Sequence, residues 1–95
     1  MAENIDDITI EYTEENVLTT KQLDKEVLTK GAWTTIMFKY QDLDRKTNEF
    51  GPTKYSIRRY QKRNGDYQQK SKFNISSDDQ AHKIIEVLKK WLPAA

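Results

Sequence analysis

The chain has 95 residues, 36% of them hydrophobic and 33% charged, with 16 Lys and Arg against 15 Asp and Glu. That is one small soluble domain on the polar side of ordinary composition, and so short a chain buries limited surface that a partner subunit would extend. It has no cysteine, which excludes disulfides, thiol catalysis and thiolate metal sites; with no apolar run of membrane-spanning length and no leader pattern at its start, a cytoplasmic location without membrane attachment is expected.

The whole chain, 1–95, reads as a single domain: an acidic stretch at 1–20, loose or forming an extra strand, and a sheet-plus-helix core over 26–92. Residues 1–7 are polar and acidic and are expected to be loose. Ile8, Ile10 and Tyr12 alternate as in a short strand, with Glu14, Glu15 and Asn16 as the break after it. Residues 17–30 fit either a helical turn through Leu23, Val27 and Leu28 or a strand ending at Gly31. Residues 33–40 form the clearest strand pattern, with Thr34, Ile36, Phe38 and Tyr40 on one side and Trp33, Thr35, Met37 and Lys39 on the other. A breaker-rich loop follows at 41–53, containing Asp42, Asp44, Asn48, Gly51 and Pro52.

Two strand patterns then flank Asn64-Gly65, a strong hairpin signal. In the first, Tyr55 and Ile57 share a parity, while Lys54, Arg58, Tyr60 and Lys62 take the other. In the second, Phe73 and Ile75 share the core parity and Lys70 and Lys72 oppose them. Arg59 breaks the pattern, which a bulge near it would resolve. The chain ends in a helix. Ser77-Asp78-Asp79-Gln80 fits a capping box, Lys89 and Lys90 complement the far end, Pro93 stops it, and Ala81, Ile84, Ile85, Leu88, Trp91 and Leu92 form one apolar stripe. That stripe is expected to cover the core face of the sheet. The predicted fold is α+β: a curved antiparallel sheet of about four strands and one C-terminal helix packed on one face, dimeric.

Charge is segregated along this order. Residues 1–29 hold 8 acidic and 2 basic side chains, residues 30–75 hold 11 basic and 4 acidic, and residues 76–95 hold three of each. Segregation of this kind marks either a charged partner or an internal acidic segment. Catalytic signals are thin: His82 is the lone histidine, Asp42 and Asp44 lack further oxygen donors, and Gly31, Gly51 and Gly65 are isolated. No enzyme, metal or cofactor is expected. The open sheet face instead collects Trp33, Met37, Lys39, Lys54, Arg58, Tyr60, Lys62, Lys70 and Lys72. Cations among rings suit a nucleic-acid strand, because phosphates need charge and unpaired bases need a flat surface to stack on.

The strand order, Tyr55-Ser56-Ile57-Arg58-Arg59-Tyr60, Asn64-Gly65-Asp66 and residues 70–76 running into a capped helix together resemble the single-stranded-DNA-binding domain of the transcriptional positive coactivator family and its small bacterial relatives. Lys30-Gly31-Ala32-Trp33 resembles the turn that opens the second strand in those bacterial members. The likeness spans residues 26–92. It implies a homodimer whose curved strands grip single-stranded or melted DNA with little sequence preference, through Lys39, Arg58, Tyr60, Lys70 and Lys72. The chain departs from the family at Gln61, where eukaryotic members tend to carry a further aromatic, in its longer 42–52 loop, and in an acidic start unlike a lysine-rich regulatory arm. The expected function is therefore sequence-tolerant single-stranded DNA binding in transcription, replication or repair, at Trp33, Lys39, Lys54, Arg58, Tyr60, Lys62, Lys70 and Lys72. The alternatives are a protein-interaction module using the basic face, and an RNA-binding domain, since no residue here selects for a sugar hydroxyl.

Overall fold

Two tight turns set the frame of the sheet. Glu15 (φ 50°) and Asn16 (φ 68°) make one, Asn64 (φ 51°) and Gly65 (φ 85°) the other, each with two consecutive residues at positive φ. That is the type I′ geometry whose twist matches antiparallel strands. The computed structural model describes residues 3–94. In them a 3-10 turn at Ile5–Asp7 precedes β1 (Tyr12–Glu14), β2 (Val17–Thr29), β3 (Trp33–Asp44), β4 (Glu49–Phe50), β5 (Lys54–Arg63), β6 (Asp66–Ile75) and α1 (Asp78–Trp91). The strands form a curled antiparallel half-barrel in the order β1-β2-β3-β5-β6, with β4 paired to β3.

The ambiguous stretch at 17–30 is thus a strand, the longest in the molecule. Its alternation is masked at Leu23 and Leu28, where the register with β3 shifts. Each bulge adds one residue and flips the parity of the residues beyond it. The expected strand at 8–12 forms only from Tyr12 onward; Ile8 to Glu11 run without strand pairing. Of the segment 1–7 expected to be loose, Met1 and Ala2 lie outside the described residues. The rest joins a strap over the sheet, in which Ile8 and Ile10 are buried against Ile36, Phe38, Tyr40, Tyr60 and Tyr67, with Ile5 packed beside them.

Register then sorts the side chains. Thr34, Ile36, Phe38 and Tyr40 of β3 face Tyr60, Arg58, Ser56 and Lys54 of β5, and Arg58 faces Lys72 of β6. This is the strapped face, and it contains the core. Trp33, Met37 and Lys39 face Gln61, Ile57 and Tyr55 on the opposite, open face. The expectation that Trp33, Met37 and Lys39 join Arg58 and Tyr60 is therefore corrected. A one-residue offset in pairing carries a whole strand to the other side of a sheet, and alternation within a strand does not fix that offset. Phe73 is corrected with them. It pairs with Ile57 on the open face and is 52% exposed, although Ile75 beyond it is buried.

Helix α1 begins as expected. Ser77 Oγ accepts from the Gln80 amide (3.1 Å), and Gln80 Oε1 accepts from the Ser76 amide (2.8 Å). The helix does not cover the core, however: its one sizeable contact among the strands is with β6, and Ile85, Leu88 and Trp91 are exposed. The core face is already occupied by the isoleucines of the strap, so Ile85, Leu88, Trp91 and Leu92 of the α1 stripe stay exposed among the described residues, while Ala81 and Ile84 are half-buried.

Candidate nucleic-acid interface

Arg58 is the best-positioned cation of the sheet. Its Nε donates to Ser56 Oγ (3.1 Å) and its Nη1 to Gln69 Oε1 (3.0 Å), while Ser56 Oγ donates in turn to Asn74 Oδ1 (2.7 Å). Ser56 is fully buried and anchors the chain of bonds. The guanidinium is thus held by neutral acceptors across β5 and β6, its charge uncancelled. Lys72 stands directly opposite in the ladder. Among the described residues neither forms an ion pair; the pairs present are Arg45–Glu14, Lys54–Asp42 and Lys83–Asp79. Lys54 extends the row on β5, but Asp42 Oδ2 at 3.3 Å partly neutralises it.

Tyr60 belongs to the same face but is 6% exposed, with the strap over it. Burial raises its hydroxyl pKa above the ordinary tyrosine value, against the opposing pull of the Arg58 charge. Burial, followed by the Asp42 charge, raises that of Tyr40 as well. Lys62 lies over the Tyr67 ring at 5.4 Å. Lys70 is the extra residue of β6 where the pairing steps from Ser71 to Gln69, and its amine donates to Gln68 at 3.4 Å. The bulge expected near Arg59 therefore exists, with the added residue on the facing strand.

Trp33 and Lys39, on the open face, stand apart from this group. Arg59 shares that face, its guanidinium 4.6 Å from the Trp33 ring centre, a stack worth about 0.5–1 kcal/mol at an exposed site. That contact accounts for the residue that broke the alternation. Tyr55, also on the open face, donates from its hydroxyl to Asp78 Oδ1 (2.8 Å); this bond, more than burial, raises its pKa and ties β5 to the first turn of α1.

The structure thus brings together Lys54, Arg58 and Lys72, with Tyr60 beneath the strap, and sets Trp33 and Lys39 elsewhere. Sequence reasoning missed Ser56, Gln69, Asn74 and Tyr67. Ser56 shares the parity of Arg58 and was legible in that sense; Gln69 and Tyr67 reach this face only through the β6 bulge. His82 is exposed on α1, and no cluster of metal-ligating side chains occurs among the described residues. No helix among them is long and apolar enough to cross a membrane. Comparison with protein-family models, with curated proteins and with solved structures finds no match to this chain.

Proposed function

We propose that this chain is a single-stranded nucleic-acid-binding protein, with single-stranded DNA as its preferred ligand, acting as a homodimer in the manner of the coactivator family it resembles. The observation that carries the reading is the facing pair Arg58 and Lys72, two cations opposite each other in the ladder with no carboxylate paired to either among the described residues. Like charges placed directly across a sheet destabilise it, so the pair is more readily understood as a phosphate site than as a fold device. Ser56, Gln69 and Asn74 hold Arg58 ready, which lowers the ordering cost of binding. Recognition through phosphate and stacking tolerates any sequence, and single strands are favoured because only they offer unpaired bases.

The dimer is supported by the exposed apolar residues of α1, and its partner is a second copy of this chain. The reading involves no catalytic step and no cofactor.

The test is fluorescence anisotropy with labelled oligo-dT, duplex DNA and RNA of equal length at two salt concentrations. Oligo-dT should bind more tightly than duplex, and its affinity should fall steeply with salt. Arg58→Ala with Lys72→Ala should weaken binding and flatten the salt dependence by about one unit of slope per lost phosphate contact. A folded double variant that binds like the parent would make this face a solvated surface. Tighter binding of RNA than of DNA would move the assignment to RNA.

A further inference from the structure

Residues 3–11 lie across the face that carries the proposed nucleic-acid site, and the way they are held differs from every other part of the sheet. They form no ladder. Ile10 N–H and Thr9 Oγ1 both donate to the side chain of Gln22, at 3.2 and 2.9 Å, and the Lys25 ammonium donates to the carbonyls of Ile5 (2.6 Å) and Ile8 (2.8 Å). Glu11 accepts from the Gln22 amide at 3.2 Å. Two side chains of β2 therefore hold the main chain of the strap, where a strand would be held by a row of backbone bonds. Its apolar contribution is the isoleucines, which close the core over Ile36, Phe38 and Tyr40 and seal Tyr60 and Tyr67 at its edge. Its exposed carboxylates, Glu3, Asp6 and Asp7, line a groove with Lys25, Lys30 and Lys62.

We infer that this acidic strap is a built-in competitor of nucleic acid: it covers the aromatic floor of Tyr60 and Tyr67 with isoleucine and sets carboxylates in the groove beside the adjoining cations, and a bound single strand displaces it. The inference rests on the nucleic-acid reading above and specifies its regulation. The strap offers the two chemistries a nucleotide would, an apolar body over the rings and negative charge beside the lysines. A site open only part of the time binds more weakly in proportion to its open fraction, so loosening the strap raises the apparent affinity.

Lys25→Met gives the decisive sign. It removes both hydrogen bonds to the strap but keeps an unbranched apolar stem, and it also deletes a cation from the face. If the strap competes, oligo-dT binding should tighten by about three- to tenfold despite the lost charge. Unchanged or weaker binding by the folded variant, with the parent binding normally, overturns the strap and leaves the nucleic-acid reading in place. Asp6→Asn with Asp7→Asn tests the electrostatic half without touching the core, and should tighten binding with a smaller gain at high salt. The parent alone gives a third measurement. Saturating oligo-dT should raise the hydrogen-exchange rate of the Ile10 amide, which is bonded only to Gln22; protection that stays the same or increases at saturation overturns displacement. Failure of the parent and of both variants to bind oligo-dT at all would overturn the nucleic-acid reading itself.

Discussion

Phe38 and Phe73 show how far one residue type diverges when only its face differs. Phe38 is wholly buried in β3 among Ile36, Tyr40 and the strap isoleucines, while Phe73 of β6 stands on the open face. Truncation at Phe38 loses both transfer energy and packing, so Phe38→Ala should cost about 3–5 kcal/mol in urea unfolding. Phe73→Ala should cost about 1 kcal/mol or less in the isolated chain. Any excess at Phe73 that grows with protein concentration would report a second copy covering the open face. The buried tyrosines give a pH dependence with a definite sign. Tyr40 and Tyr60 keep their protons to higher pH in the folded chain than the unperturbed value of 10.0. Above that value the unfolded chain releases protons that the folded one retains, so their contribution to stability is intact below pH 10 and declines as pH rises toward their folded values. Urea midpoints measured on either side of about pH 10 should show the decline. Tyr60→Phe, which retains the ring and removes the titrating hydroxyl, should lessen it.

At the scale of elements, what could be read in the sequence depended on whether the determining interactions were local. The Asn64-Gly65 hairpin, the β3 alternation and the capped start of α1 are set within a few residues and appear where their signals lie. But β3 runs on to Asp44 and pairs with β4 inside the stretch 41–53 expected as a loop, so the sheet has six strands among the described residues where about four were expected. Strand β2 was obscured because two bulges, at Leu23 and Leu28, disrupt its period. The assignment of faces failed for a longer-range reason. Alternation tells which residues of β3 or β5 travel together, but the side of β5 that shares a face with Trp33 depends on the loop at 45–53 and the pairing it allows. In the fold, the Gly51 amide donates to the Asp42 carbonyl (2.9 Å), Phe50 pairs with Leu43, and this sets Tyr40 opposite Lys54. Arg58, Tyr60 and Lys72 do share one face, but it is the strapped core face with Ile36 and Phe38 and not the face opposite the core that alternation suggested, and Trp33 and Lys39 lie on the other side. The role of residues 5–10 was hidden because a strap without a ladder has no period to read.

For the whole molecule the dimensions pose a problem that a second copy would solve. The extents are 47 × 38 × 17 Å with a radius of gyration of 15.3 Å, against about 12 Å for a compact domain of this length. A thickness of 17 Å is little more than a sheet and its strap. The helix touches chiefly β6 and leaves Ile85, Val87, Leu88, Trp91 and Leu92 exposed, Trp91 at 74%. An amphipathic helix derives most of its stability from packing its apolar stripe, and 14 residues are marginal alone in water. Docking two such stripes about a two-fold axis would bury them and set the two sheets side by side, so that the Arg58 and Lys72 rows of both copies could serve one strand of nucleic acid. The chain should therefore sediment as a dimer at micromolar concentration. Leu88→Asp with Trp91→Asp should convert it to a monomer with a less helical circular dichroism spectrum, its β signal retained, because the strap and not the helix closes the core. Oligo-dT affinity should fall in that variant although no cation has been removed, since the second row of contacts is lost with the partner. A parent that sediments as a monomer with α1 fully helical would sink the shared-site arrangement, and the apolar stripe would then need a different partner.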